Sequence, residues 1–206
     1  MPVTQLSASV GRTTDSIANT LPAGFSFNGV NSSWFNTPGE YPFNGNSYVV
    51  TTSVGTCNNI SINLWFRPLA ANRILMTEQD TGVENFSYHY SMLEIDASGY
   101  VRGRIWDGSG NIFLTSPLPV NLARWNHIYL NYDNTNTIMV LNGGTPQQTF
   151  ITRQVPPQTF IGIGTFTVTN IGTQNRYVGK INDLRISSNG EGSSWASTVG
   201  NYPGAI

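Results

Sequence analysis

The stretch LARWNHIYLNYD, residues 122–133, places Trp125, His127 and Asp133 close together, and a histidine with an aspartate can move protons. A catalytic imidazole needs a nucleophile or a carboxylate within hydrogen-bond reach. On a strand, Trp125 and His127 share one face, while Ile128, Leu130 and Tyr132 fit a core face. No pattern supplies the missing partner, so the expected roles are a structural tryptophan and a hydrogen-bonded histidine. His89 and His127 with the single Cys57 do not make a zinc set. Cys57, beside Asn58 and Asn59, reads as a small buried residue rather than a nucleophile. One cysteine also excludes an intrachain disulfide. TEQDTGVEN offers Glu78, Asp80 and Glu84, hard oxygen donors of the kind calcium takes. Their spacing is not that of an EF-hand loop, and a solvated acidic loop is the competing reading.

A broader constellation is a polar, aromatic face. Trp65, Arg67, Tyr90, Glu94, Tyr100, Arg102, Arg104 and Trp106 all fall opposite the expected aliphatic core. Aromatic rings stack on the apolar faces of sugars, and Arg or Glu can bind hydroxyls. The same composition marks protein interfaces. The third alternative is cover by the N-terminal stretch or by long loops.

Strands must position these residues. ISINLWFRP alternates Ile60, Ile62, Leu64 and Phe66 against Ser61, Asn63, Trp65 and Arg67, and Pro68 stops it. YSMLEID and YVRGRIW are joined by ASG, a three-residue loop with Gly99 free to take the left-handed position. That loop predicts a register in which Asp96 faces Tyr100, Glu94 faces Arg102, Met92 faces Arg104 and Tyr90 faces Trp106. Leu93, Ile95, Val101 and Ile105 then share the apolar face. WNHIYLNYD and TIMVLN form another hairpin across NTN, and FIGIG and YVGKINDLRIS follow. The expected core comprises Ile62, Leu64, Phe66, Ile128, Leu130 and Tyr132. Short strands at this spacing predict an all-β, two-sheet antiparallel jelly-roll sandwich.

Charged residues make up only 10% of the chain and the net charge is −1, so no basic field exists for a nucleic acid. Asn, Thr, Ser and Gly dominate the polar part and suit turns and β surfaces. No apolar run is long enough to span a membrane as a helix. MPVTQLSASVGRTTDS lacks a basic region followed by an apolar core, the expectation for a chain that leaves by assembly or lysis.

Several segments fall in a telling order. They are FNG…SYVV, ISINLWFRP, LEIDASGYVRGRI, RWNHIYLNYD, IMVLNGG, FIGIG and YVGKINDLRIS. Together they resemble the laminin G-like jelly rolls of the concanavalin A-like lectin/glucanase superfamily. The matching motifs are Trp125-Asn126-His127-Ile128, Leu141-Asn142-Gly143, and Gly179-Lys180-Ile181-Asn182-Asp183-Leu184-Arg185-Ile186. The resemblance implies the sandwich, and a fold that hosts lectins, adhesion modules, glycanases and spacers. It also implies that loop acids such as Glu78, Asp80 and Glu84 could hold calcium. The glucanase branch carries E-x-D-x-x-E, whose outer carboxylates act as nucleophile and acid. This chain has Glu94 and Asp96, but Gly99 stands third and lies past the turn.

The expected organisation is an N-terminal arm over residues 1–40, a laminin G-like sandwich over 41–189 and an irregular tail over 190–206. The expected function is a non-catalytic display or binding module, foremost a virion or particle surface protein of decoration or fibre-tip type. A soluble carbohydrate-binding lectin is the alternative, and a glycoside hydrolase is disfavoured. No cofactor beyond calcium is implied. The expected partners are other chains of an assembly, met through the arm and the polar face, and glycans; a homo-oligomer or a particle-bound chain is expected. Neither nucleic acid nor membrane insertion is expected. The expected location is a particle surface or the extracellular space.

Overall fold

The computed structural model describes residues 8–12, 33–34, 41–44, 47–51, 59–79, 89–132, 136–151, 160–164 and 176–187. These residues hold fourteen strands and no helix. In chain order the first seven are β1 (Ala8–Arg12), β2 (Ser33–Trp34), β3 (Tyr41–Asn44), β4 (Ser47–Thr51), β5 (Ile60–Pro68), β6 (Arg73–Gln79) and β7 (His89–Ile95). The others are β8 (Tyr100–Trp106), β9 (Asn111–Pro119), β10 (Asn126–Tyr132), β11 (Thr137–Leu141), β12 (Gln147–Thr149), β13 (Phe160–Ile163) and β14 (Val178–Ser187).

They form two antiparallel sheets. The first runs β1-β4-β13-β6-β7-β8-β9 and the second β12-β11-β10-β5-β14-β2, with β3 also on β14. The second sheet is centred on β5, whose alternation leaves one face wholly apolar. Ile62 lies across from Leu130 and Leu64 from Ile128 on β10. Ile62, Leu64, Phe66, Ile128, Leu130 and Tyr132 are all fully buried, as the alternation predicts. Leu93, Ile95, Val101 and Ile105 join them in one core from the first sheet. Each such side chain contributes about 1.5–3 kcal/mol on leaving water.

One contact locks the layers together. The Tyr132 hydroxyl reaches the main-chain carbonyls of Met92 (2.8 Å) and Arg104 (3.0 Å) in the first sheet. Gly103 makes room for it: a Cβ there would stand 3.1 Å from Leu130 Cδ1 and 3.5 Å from the hydroxyl.

The β7–β8 hairpin has the predicted register, with Glu94 opposite Arg102, and Gly99 at φ +86°. Asp96 stabilises the turn by accepting the amides of Ser98 and Tyr100, each at 2.9 Å. One expectation needs correction. Met92 does not stand on the polar face beside Glu94. The β6–β7 ladder is irregular at Met76, and consecutive residues on both strands (Leu75, Met76, Met92 and Leu93) enter the core. A local irregularity of this kind inverts the side that later residues face. Two short segments within the stretch expected as an arm join the sheets. Ala8–Arg12 pairs with β4 at the edge of the first sheet, and Ser33–Trp34 pairs with β14. Edge pairing uses main-chain hydrogen bonds, so a short polar segment can join without any apolar alternation. Residues 190–206 lie outside the described residues.

Candidate functional site

The half-open surface is the outer face of the first sheet. Arg102 and Glu94 are cross-strand neighbours, and Arg102 Nη2 meets Glu94 Oε1 at 2.5 Å. Glu94 is only 2% exposed and Arg102 29%, so this is a half-buried pair rather than a surface one. Asp96 Oδ2 lies 4.0 Å from Arg102 Nε. The adjacent β9 sets Phe113 opposite Arg104 and Thr115 opposite Arg102. Arg102 Cζ sits 4.5 Å from the centre of the Phe113 ring, and Arg104 Cζ 5.6 Å from it. A guanidinium over an aromatic face is attracted by the ring quadrupole, by about 0.5–1 kcal/mol at an exposed site. Arg104 is buried, Phe113 is exposed, and Tyr100 and Trp106 are half-buried. The result is a plate of guanidinium and rings, with its acid already engaged by a counterion.

Trp65 and Arg67 belong elsewhere. They lie on β5, in the second sheet, facing away from the core on the other side of the sandwich. Trp65 and Arg67 are therefore parted from Glu94, Tyr100, Arg102, Arg104 and Trp106, and the side chain of Tyr90 lies outside the described residues. Alternation along a strand tells which side of its own sheet a residue takes, but not which sheet the strand joins. The Trp65 ring packs at 5.0 Å from the His127 ring, tilted by 53°, and both residues are buried. His127 Nε2 meets Asn63 Oδ1 at 2.6 Å, and Ser61 donates to Asn131 at 2.6 Å. The imidazole meets an amide oxygen, which fits the structural role expected for it. Arg67 Nε donates to the Ala123 carbonyl at 2.8 Å. Tyr90 stands opposite Glu78 in the ladder.

The short motifs have physical roles. Asn142 and Gly143 take φ of 51° and 67°, and the Gly144 amide donates to the Leu141 carbonyl at 2.9 Å. This is the turn that Asn-Gly favours, because both central residues need positive φ. Asn142 Oδ1 accepts the His127 amide at 2.7 Å. Buried Asn126 clamps the loop before it: Oδ1 accepts the Asn121 amide at 3.0 Å, and Nδ2 donates to the Asn121 and Arg124 carbonyls at 2.9 Å. Gly179 has φ +152°, and a Cβ on it would collide with the Arg67 carbonyl. Sequence reasoning passed over Asn126, Asn142, Phe113 and Thr115. The Asn residues inside the two motifs carried the signal; Phe113 and Thr115 depend on strand pairing.

Glu78, a calcium candidate, is a buried residue of β6 opposite Tyr90 and Ile161. Asp80, Glu84 and Cys57 lie outside the described residues. Among the described residues no group of three or more His, Cys, Asp or Glu could hold a metal ion.

A family described as the concanavalin A-like lectin/glucanases superfamily, of laminin G type, matches residues 43–190. The chain belongs to this superfamily. No curated protein matches it. Among solved structures, this superfamily member is similar to a native heptameric SAP-like pentraxin from Limulus polyphemus. That match has 15% identity and a TM-score of 0.60, over 80% of this chain and 82% of that one. Domains LG4-5 of the mouse laminin alpha1 chain match at 17% identity and TM-score 0.57, over 81% of this chain and 44% of that chain. The CBM40 of a Ruminococcus gnavus IT-sialidase, bound to alpha2,3 sialyllactose, matches at 14% identity and TM-score 0.57, over 78% and 96%. Likeness at these identities shows the fold. The superfamily's β-sandwich is thus shared with binding domains, one of them solved with a sugar in place.

Proposed function

We propose that the chain is a non-catalytic display and binding module on the surface of a virion or another particle, of decoration or fibre-tip type. It makes its protein and glycan contacts through the plate around Arg102, Phe113 and Trp106. One observation carries this reading. Arg102 is held by buried Glu94 and stacked on exposed Phe113, so a fixed, partly exposed guanidinium and a ring face the solvent. Such a surface offers stacking and directional hydrogen bonds. It lacks the row of acids that retaining hydrolysis needs, because Gly99 occupies the turn where the third acid would stand. The setting is supported by the low charge and the Asn-, Thr- and Ser-rich surface. The sandwich proper spans 41–189, with β1 and β2 of residues 1–40 added at its edges.

A soluble lectin is the second reading. It is favoured by the same plate and by the sugar-bound CBM40 of like fold. Antibody raised against the chain should label the outside of intact particles from the source. Label found only in the soluble fraction, together with binding of free sugar by the isolated chain, would replace the particle reading with the lectin one. Trp106 fluorescence should respond to the true ligand, and Arg102→Ala should remove that response. No β-glucan hydrolysis is expected, and Glu94→Gln should change none; turnover lost in that variant would restore the hydrolase.

A further inference from the structure

The chain has ten lysines and arginines in all, and three of them lie at one end of the sandwich. Arg67 on β5 and Lys180 on β14 are direct cross-strand partners. Like charges placed so repel one another, so this pairing does not stabilise the sheet. The Arg67 guanidinium reaches the Ala123 carbonyl at 2.8 Å, which brings exposed Arg124 to the same corner. Asp96, an acid at this end, is engaged by the amides of its own turn and lies 4.0 Å from Arg102 Nε.

The same end is apolar at its tips. Leu69 is 58% exposed, Leu118 69% and Leu122 48%. Leu69 and Leu122 sit on loops and Leu118 near the end of β9, and these segments are tied to one another through the main chain. The Ala123 amide donates to the Pro68 carbonyl at 2.7 Å, Asn72 to Asp96 at 3.0 Å, and Val120 to Gly99 at 2.9 Å. The leucines are therefore held outward by a fixed framework and do not fold back onto the core. Large apolar side chains held in water on adjoining segments of one end mark a contact surface.

We infer that this end of the sandwich docks on an anionic lipid surface. Leucines on separate tips can enter the acyl boundary one by one, with no groove required. The cations stand behind them, where they would meet headgroup phosphates, and this charge complementarity favours lipid over a neutral partner. Docking of this kind lies on the membrane and needs no spanning helix, and none is present among the described residues. The surface shares no residue with the Arg102 plate, so either assignment can fail without the other.

The test is co-sedimentation of the full chain with vesicles of phosphatidylcholine alone or of equimolar phosphatidylcholine and phosphatidylserine. Binding should favour the anionic vesicles and fall as sodium chloride is raised. The combined Leu69→Ser, Leu118→Ser and Leu122→Ser variant should bind at least about tenfold more weakly. Arg124→Gln and Lys180→Gln should each weaken binding about fivefold. Unchanged circular dichroism melts would show that these exposed substitutions leave the fold intact. Equal binding to both vesicle types, or unchanged binding by the leucine variant, would overturn the inference. So would a concentration-dependent dimer, seen by light scattering, that the leucine variant abolishes while vesicle binding stays the same; the patch would then belong to a second copy of the chain.

Discussion

At the scale of single residues, Tyr177 joins burial to a measurable pH response. It is fully buried against Phe43, with ring centroids 5.8 Å apart, and its hydroxyl donates to the Lys180 carbonyl. Burial pushes its phenol well above the ordinary value of 10.0. The folded chain therefore holds this proton more tightly than the unfolded chain. Its contribution to stability is complete below the unfolded value and declines as pH rises above it. Denaturant melts taken across that range should show an alkaline loss, part of which disappears in Tyr177→Phe. A tyrosinate absorbance that develops only on unfolding would mark the same residue. An alkaline limb identical in the two proteins would remove the claim.

At the scale of elements, the two sheets depend on one missing side chain. Gly103 on β8 lies opposite Leu93 and beneath Leu130 and Tyr132. Alanine would press on Leu130 Cδ1, a flexible group, whereas valine would also drive into the Tyr132 hydroxyl that joins the layers. Gly103→Val should cost about 1–3 kcal/mol through overpacking. Gly110, where an added Cβ would meet nothing within 4 Å, is the control, and Gly110→Ala should be near neutral. Equal melts for the two variants would mean that the layers do not meet at Gly103. The Asn126 and Asn142 clamps act on the same scale. They tie the loop before β10 and the turn after β11 to one strand. A Trp-x-His strand followed by Asn-Gly can therefore persist as architecture with no catalytic task.

At the scale of the whole molecule, the sandwich places distinct surfaces on its two outer faces and its ends. Its edges are a further concern. β1 closes the outer side of β4, and removing residues 1–12 would leave β4 as an open edge. The deleted protein should stay folded, because its core lies between other strands. It should also self-associate more readily, since open edges recruit strands. Light scattering and denaturant melts would check both points. An unfolded deletion product would instead make β1 part of the domain's essential structure.

The amino-acid order by itself determined the local grammar of this protein. Alternation in ISINLWFRP and WNHIYLNYD assigned the buried set, because side chains on a strand repeat with period two. The ASG loop determined the pairing of Glu94 with Arg102, because a three-residue hairpin fixes register. The motifs from Phe43 onward were legible as a family. Only the tertiary structure decided which sheet each strand joins, and so it parted Trp65 and Arg67 from the Arg102 plate. It also decided that Met92 turns inward at an irregular ladder and that Ala8–Arg12 pairs at an edge. These outcomes rest on contacts between segments distant in sequence and on main-chain hydrogen bonds. Neither leaves a period in the side chains, so neither can be read from one strand at a time.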